Sequence, residues 1–236
     1  MSKTRFVFSI AVVALLVATP AMGQLPGFPV FALSAGDADG ATSVGAGYGR
    51  GLNDQSGKQN AIGVGVLRAM EQVSFGVFGS YLLGQGAADN EAAFAGAVAY
   101  HLPVGADGPV GLSLQTGIGW IKLAETVLNV PVGVVISGST EAGSMTVTPW
   151  VMPRVQFTRV GGTARGGAGR AGAAPEGYAL SSTETDFGVS GGVGFSTEGG
   201  FGFSLALDWL LEQDILVPAD NASRIGFSAA VTYRLQ

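Results

Sequence analysis

Ser190 stands in Gly188-Val189-Ser190-Gly191-Gly192, the G-x-S-x-G spacing of a nucleophile elbow. That device needs a strand that turns sharply into a helix, so that the hydroxyl projects from the turn. Here apolar and small residues keep alternating from Phe187 through Phe195, and the helix is missing. With 39 glycines in 236 residues, chance supplies such matches. His101, the single histidine, is the natural base for a serine nucleophile, but it falls on the inward, polar parity of its own segment. Asp37-Ala38-Asp39-Gly40 opens like a calcium loop and lacks the later ligands. No G-x-x-x-x-G-K-[ST] run is present. The chain has no cysteine, hence neither a disulfide framework nor a thiolate site. We expect no enzyme activity, no cofactor and no metal, with a hydrolase using Ser190 and His101 as the least favoured alternative.

Charge is more informative than these motifs. Arg154, Asp186, Asp208, Arg224 and Arg234 all lie on the polar parity of the segments that carry them, with Gln115, Gln156 and His101 on the same face. A charge in a narrow interior needs a partner. These residues therefore read as lumen-facing groups that neutralise one another, in preference to a selectivity constriction. Folding the last two segments about a connection near Leu216 brings Asp208 toward Arg224, and we expect that pair to form.

The elements that must position these groups are strands. Ten segments alternate with a period of two, each with one apolar and one small or polar face. They are Ala41–Gly49, Gln59–Arg68, Gln72–Leu83, Ala92–Leu102, Val110–Lys122, Leu128–Ser137, Met145–Val160, Thr183–Thr197, Gly200–Leu211 and Ser223–Gln236. In the last, Ile225, Phe227, Ala229, Val231, Tyr233 and Leu235 alternate with Arg224, Gly226, Ser228, Ala230, Thr232 and Arg234. It should close a barrel against Ala41–Gly49. The sixth and seventh are the weakest, so eight strands remain compatible. Pro149 and Pro153 each remove a ladder donor, and a bulge or bend is expected there. Connections at Ala69–Glu71 and Glu198–Gly199 are tight. Those at Gly49–Lys58, Arg159–Ser182 and Glu212–Asn221 are longer and polar, and the two kinds segregate to opposite ends of an up-and-down arrangement.

Charged residues make up 12% of the chain, about half the usual share, too few to cover a water-facing surface. The small, uncharged polar face suits the interior of a narrow closed barrel. The apolar face carries almost no mid-strand charge, as a lipid-facing wall requires, because Arg or Lys at the bilayer midplane costs about 2–4 kcal/mol. Aromatic residues fall near strand ends: Tyr48, Tyr81, Trp120 and Trp209 at one level, Tyr100 and Tyr233 at the other. Two such belts are what rings at headgroup level produce. Lys3 and Arg5, the apolar run Phe6–Ala18 and the small residues Ala21-Met22-Gly23 form a secretory signal peptide over 1–23. Residues 24–40 follow as an N-terminal periplasmic segment able to plug the lumen, and 41–236 form the barrel domain. The net charge of −5 disfavours nucleic acid as a partner.

The signal peptide, the alternating strands and the closing Gly226–Tyr233 stretch resemble the small outer-membrane β-barrel proteins that include the OmpA and OmpW types. The resemblance covers nearly all of the mature chain as a pattern. It implies an all-β, closed, antiparallel up-and-down transmembrane barrel of about ten strands in the outer membrane of a Gram-negative bacterium. It also implies assembly by the barrel-assembly machinery, which usually recognises a terminal aromatic residue. This chain departs from that in ending Tyr233-Arg234-Leu235-Gln236. The implied partners are outer-membrane lipid and lipopolysaccharide, with Arg165 and Arg170 of the longest connection as candidate contacts. The implied role is structural or surface-interacting, a narrow porin-like channel for small solutes being the alternative.

Overall fold

The computed structural model describes residues 40–52, 60–83, 90–103, 110–122, 126–163, 179–211 and 223–235. The signal-peptide residues, the plug expected before Gly40, and the connection carrying Arg165 and Arg170 lie outside them. The strands are β1 (Thr42–Gly51), β2 (Asn60–Met70), β3 (Val73–Leu83), β4 (Glu91–Leu102), β5 (Val110–Lys122), β6 (Thr126–Gly138), β7 (Thr140–Ala142), β8 (Met145–Thr163), β9 (Ala179–Thr197), β10 (Phe201–Leu211) and β11 (Ser223–Leu235). No described residue is helical.

Every pairing is antiparallel, and the order runs β6-β5-β4-β3-β2-β1-β11-β10-β9-β8, with β6 bonded back to β8. Ten strands thus form a closed wall. β7 adds only a three-residue hairpin arm on β8, pairing Thr140 with Val147 and Ala142 with Met145. β1 and β11 close the seam from Thr42 opposite Leu235 to Gly51 opposite Gly226. Closure pairs the backbone of every wall strand on both sides and leaves no sheet edge, the condition for crossing hydrocarbon.

The expected bulge at Pro149 and Pro153 is absent. β8 pairs with β9 in one unbroken register from Met145–Thr197 to Thr163–Ala179. The missing donors fall on the other side, where the ladder is interrupted anyway. Between β6 and β8 the pairing skips from Gly133–Arg154 to Ile136–Val151 without changing register, and Pro153 lies in that gap. Pro149 lies between the end of the β6 ladder at Trp150 and the start of the β7 ladder at Val147. A proline costs a strand nothing where no partner awaits its nitrogen.

The turns between β7 and β8 and between β9 and β10 use left-handed glycines, Gly143 (φ 67°) and Gly200 (φ 83°). Gly200 donates to the Thr197 carbonyl at 3.0 Å, and its own carbonyl accepts from Arg234 N at 2.8 Å, tying the turn to the last strand. An L side chain there would be strained and would meet Arg234.

The apolar parity faces outward along every wall strand. Val64 and Val77 are the most exposed of these residues, at 64% and 65%. The inward parity differs from the small, polar interior expected. It carries two apolar clusters, one with Leu67, Phe78, Leu82 and Ile121 over a ladder of alanines on β4, the other with Val135, Trp150 and Met152. Phe78 has room because Gly65 and Gly76 beneath it have no side chain; a Cβ at either would run into its ring. The lumen is packed rather than lined.

Candidate functional site

The most constrained chemistry in the described barrel sits inside the wall of β8, β9 and β10. Ser190 on β9 lies between Met152 on β8 and Asp208 on β10, while Gly188, one inward step away, lies between Arg154 and Leu210. Arg154 and Asp208 are therefore offset by one inward step across an intervening strand. The guanidinium bridges that offset over Gly188, its Cζ lying 3.5 Å from where a Cβ of residue 188 would stand. Nη1 donates to Asp208 Oδ1 at 2.6 Å and Nη2 to Oδ2 at 2.9 Å, a two-point pair. Nη1 also donates to Ser190 Oγ, whose hydroxyl donates on to Asp208 Oδ1 at 3.1 Å. Both charged side chains are fully buried. In such surroundings a charge is tolerable only where an opposite charge compensates it.

The expected Asp208–Arg224 pair is thus replaced. Opposite Asp208 on β11 is Gly226, and Arg224 lies two residues along, opposite Leu210. Arg224 is half-buried near the outer end of its strand and reaches Asp208 as a nearby charge. Arg154, having no access to water, takes both carboxylate oxygens. A two-strand reading could not find this partner, which is 54 residues away in sequence and two strands distant.

Further polar residues face inward along the wall. Gln156 Nε2 donates to Asn129 Oδ1 at 3.3 Å, and Thr158 Oγ1 donates to the same oxygen at 2.7 Å. Asp186, buried, stands across from Gln156. Gln115 is buried on β5 opposite Ala99. His101 lies near the opposite end of the barrel, with Nε2 2.7 Å from Ser74 Oγ and Nδ1 2.7 Å from Ser113 Oγ. Both its ring nitrogens are engaged with partners other than Ser190. Arg234 is half-buried at the inner mouth. Strand register runs unbroken through Gly188–Gly192, so Ser190 is a mid-strand residue, not an elbow. Its hydroxyl is held between a cation and an anion, an arrangement that crosslinks three strands.

The sequence reading missed Phe78, Leu82, Leu67, Leu210, Trp150 and Met152 as interior residues. Their parity was available: Phe78 shares the face of Ser74, Gly76 and Ser80, and Trp150 that of Arg154 and Gln156. Outside, Tyr48, Tyr81, Tyr100, Trp120 and Tyr233 are exposed, and Trp209 is half-buried on the same face. Tyr48 and Tyr100 donate their hydroxyls to Asn60 Oδ1 (2.5 Å) and Gln72 Oε1 (3.2 Å) near opposite strand ends, ring toward the apolar surface and oxygen toward polar groups.

No family model and no curated relative matches the chain. Among solved structures it is similar to the N-terminal β-barrel domain of Pseudomonas aeruginosa OprF, at 8% identity and a TM-score of 0.38 over 84% of this chain and 98% of that one. It is also similar to Neisserial surface protein A, at 11% identity and a TM-score of 0.39 over 83% and 96%. A third likeness is to the outer membrane protease OmpT from Escherichia coli, at 10% identity and a TM-score of 0.38 over 83% and 95%.

Proposed function

We propose that this is an integral outer-membrane β-barrel protein with no catalytic role, structural or surface-interacting, of the small-barrel kind that includes the OmpA and OmpW types. The observation that carries the membrane part is the exterior of the closed barrel. Large apolar side chains stand exposed on every wall strand, among them Val64, Val77, Phe94, Ile118 and Phe203, over far more surface than the few hundred Å² of apolar patch a soluble monomer shows. Removal of residues 1–23 on export and insertion by the barrel-assembly machinery complete this reading. The end with the longer connections faces outside. The filled lumen favours a closed barrel over a channel: the Phe78 and Trp150 clusters and the Arg154–Asp208 crosslink occupy the space that a solute would need.

The test is reconstitution of the mature chain and of a variant lacking residues 24–40. Spontaneous insertion into vesicles with strand-rich circular dichroism supports the membrane reading, and a soluble monomer without detergent sinks it. In planar bilayers neither form should conduct. Stepwise openings in the full mature chain would replace the structural role by the channel, and openings in the truncated form alone would make residues 24–40 its plug. Full retention of any hydrolytic activity by a Ser190→Ala, His101→Ala double variant would remove these two residues from consideration as catalysts.

A further inference from the structure

We propose that the outer wall at the seam of β1 and β11 binds one lipopolysaccharide molecule, an acyl chain lying in a groove over Ala46 and Ala229 and a phosphate of its headgroup resting on Arg50. The proposal rests on the outer-membrane reading above.

The exterior of a barrel is convex, so a concavity needs short side chains ringed by tall ones. The seam supplies both. Ala46 lies between Val64 on β2 and Val231 on β11, and Ala229 lies opposite Tyr48. The floor continues past Val64 to Gly79 on β3, and Tyr48, Tyr81, Phe94 and Phe203 border an open groove of about 720 Å³ that is almost wholly apolar. That volume is in the range of about 300–1,000 Å³ typical of sites that take small molecules. In hydrocarbon there is no water to expel, so what favours a particular occupant is close van der Waals contact with a fitting chain. A flexible acyl chain can follow the groove where a flat protein surface would leave it empty.

Arg50 says which lipid. It is the next outward-facing residue on β1 beyond Tyr48, exposed, opposite Asn60 and Phe227. Its side chain makes no hydrogen bond or ion pair with the other described residues. A cation on the lipid-facing parity is tolerated only near the interface, where its cost nearly vanishes, and there its forked donors match a phosphate. The Tyr48 hydroxyl beside it is already given to Asn60. The groove thus runs from hydrocarbon to a guanidinium at headgroup level, the order of parts in a phosphorylated acyl lipid. Arg50 is at the end of the barrel with the longer connections, which selects the outer-leaflet source, lipopolysaccharide, over phosphatidylglycerol.

The mature protein is refolded in detergent, its fold checked by heat-modifiable electrophoretic mobility, and lipid retention is read by native mass spectrometry with rough-type lipopolysaccharide or phosphatidylglycerol at equal concentration. The wild type should retain one lipopolysaccharide. Arg50→Gln should weaken retention about tenfold, and Ala46→Phe with Ala229→Phe should abolish it while the exterior stays apolar. If that double variant fails to fold, Ala229→Leu alone should weaken retention. Unchanged retention in Arg50→Gln or in a folded groove-filling variant overturns the site, as does equal retention of phosphatidylglycerol. A barrel that enters vesicles but keeps no lipopolysaccharide sinks the groove and leaves the membrane reading standing. A chain that never enters vesicles sinks the membrane reading itself.

Discussion

Replacing Asp208 by Asn removes one charge from a site where both partners are wholly buried, and takes from the Arg154 guanidinium the carboxylate that meets both its terminal nitrogens. Breaking a buried pair from one side costs about 3–5 kcal/mol, because the surviving charge has lost its compensation. Arg224 cannot relieve this, since it carries the same sign as Arg154. With a urea dependence of about 2 kcal/mol per molar, the unfolding midpoint should fall by about 2 M. The assay is reversible urea unfolding of the barrel in vesicles, followed by tryptophan fluorescence from Trp120, Trp150 and Trp209. Arg154→Met should cost a similar amount, leaving the carboxylate the Ser190 hydroxyl and only the more distant charge of Arg224. The double variant Arg154→Met, Asp208→Leu fills the same space with apolar atoms and removes both charges of the pair. It should lose less than either single variant, and such replacements are often neutral. A single-variant loss under about 1 kcal/mol, or a double-variant loss equal to the sum of the singles, would show that the two groups do not depend on each other and would refute the reasoning.

Three further outcomes follow from the same geometry. Val64→Arg, at an exposed mid-strand position, should cost about 2–4 kcal/mol in vesicles, while Val64→Leu should be near neutral in the same unfolding assay. Gly76→Ala should cost about 1–3 kcal/mol by overpacking, since its Cβ would meet the Phe78 ring, and Phe78→Leu in the same chain should recover part of that loss; equal losses with and without Phe78→Leu would disprove the contact. Gly188→Val should destabilise more than Gly191→Val in urea unfolding, because the first obstructs the path of Arg154 over β9 and meets the Trp209 carbonyl and Leu210 as well.

The fold was legible in the sequence because a strand with one wall in lipid must alternate, and every residue of it reports which face it is on. Phe201, Phe203, Leu205, Leu207 and Trp209 against Gly202, Ser204, Ala206 and Asp208 leave no other element to form, and all ten wall strands were found within a few residues of their ends. The proline effect was misjudged because a lost donor matters only if a partner faces it. Which side of β8 lacks partners depends on where β6 ends and β7 begins.

Parity also told which charges face inward, since it is a local property of each strand. It could not tell which charge meets which. Arg154 reaches Asp208 across β9 because closure staggers the three strands by one inward step and because Gly188 leaves the crossing empty. Neither fact exists until the ring is closed. The same holds for the groove at the seam: Ala46 and Ala229 are two unremarkable small residues 183 positions apart, and only the pairing of the first strand with the last sets them diagonally across the seam, one outward step apart. Alternation, charge depletion and the aromatic levels are fixed by what the solvent on each face demands of single residues. The ion pair and the groove are fixed by register between strands distant in sequence, which only the closed barrel decides.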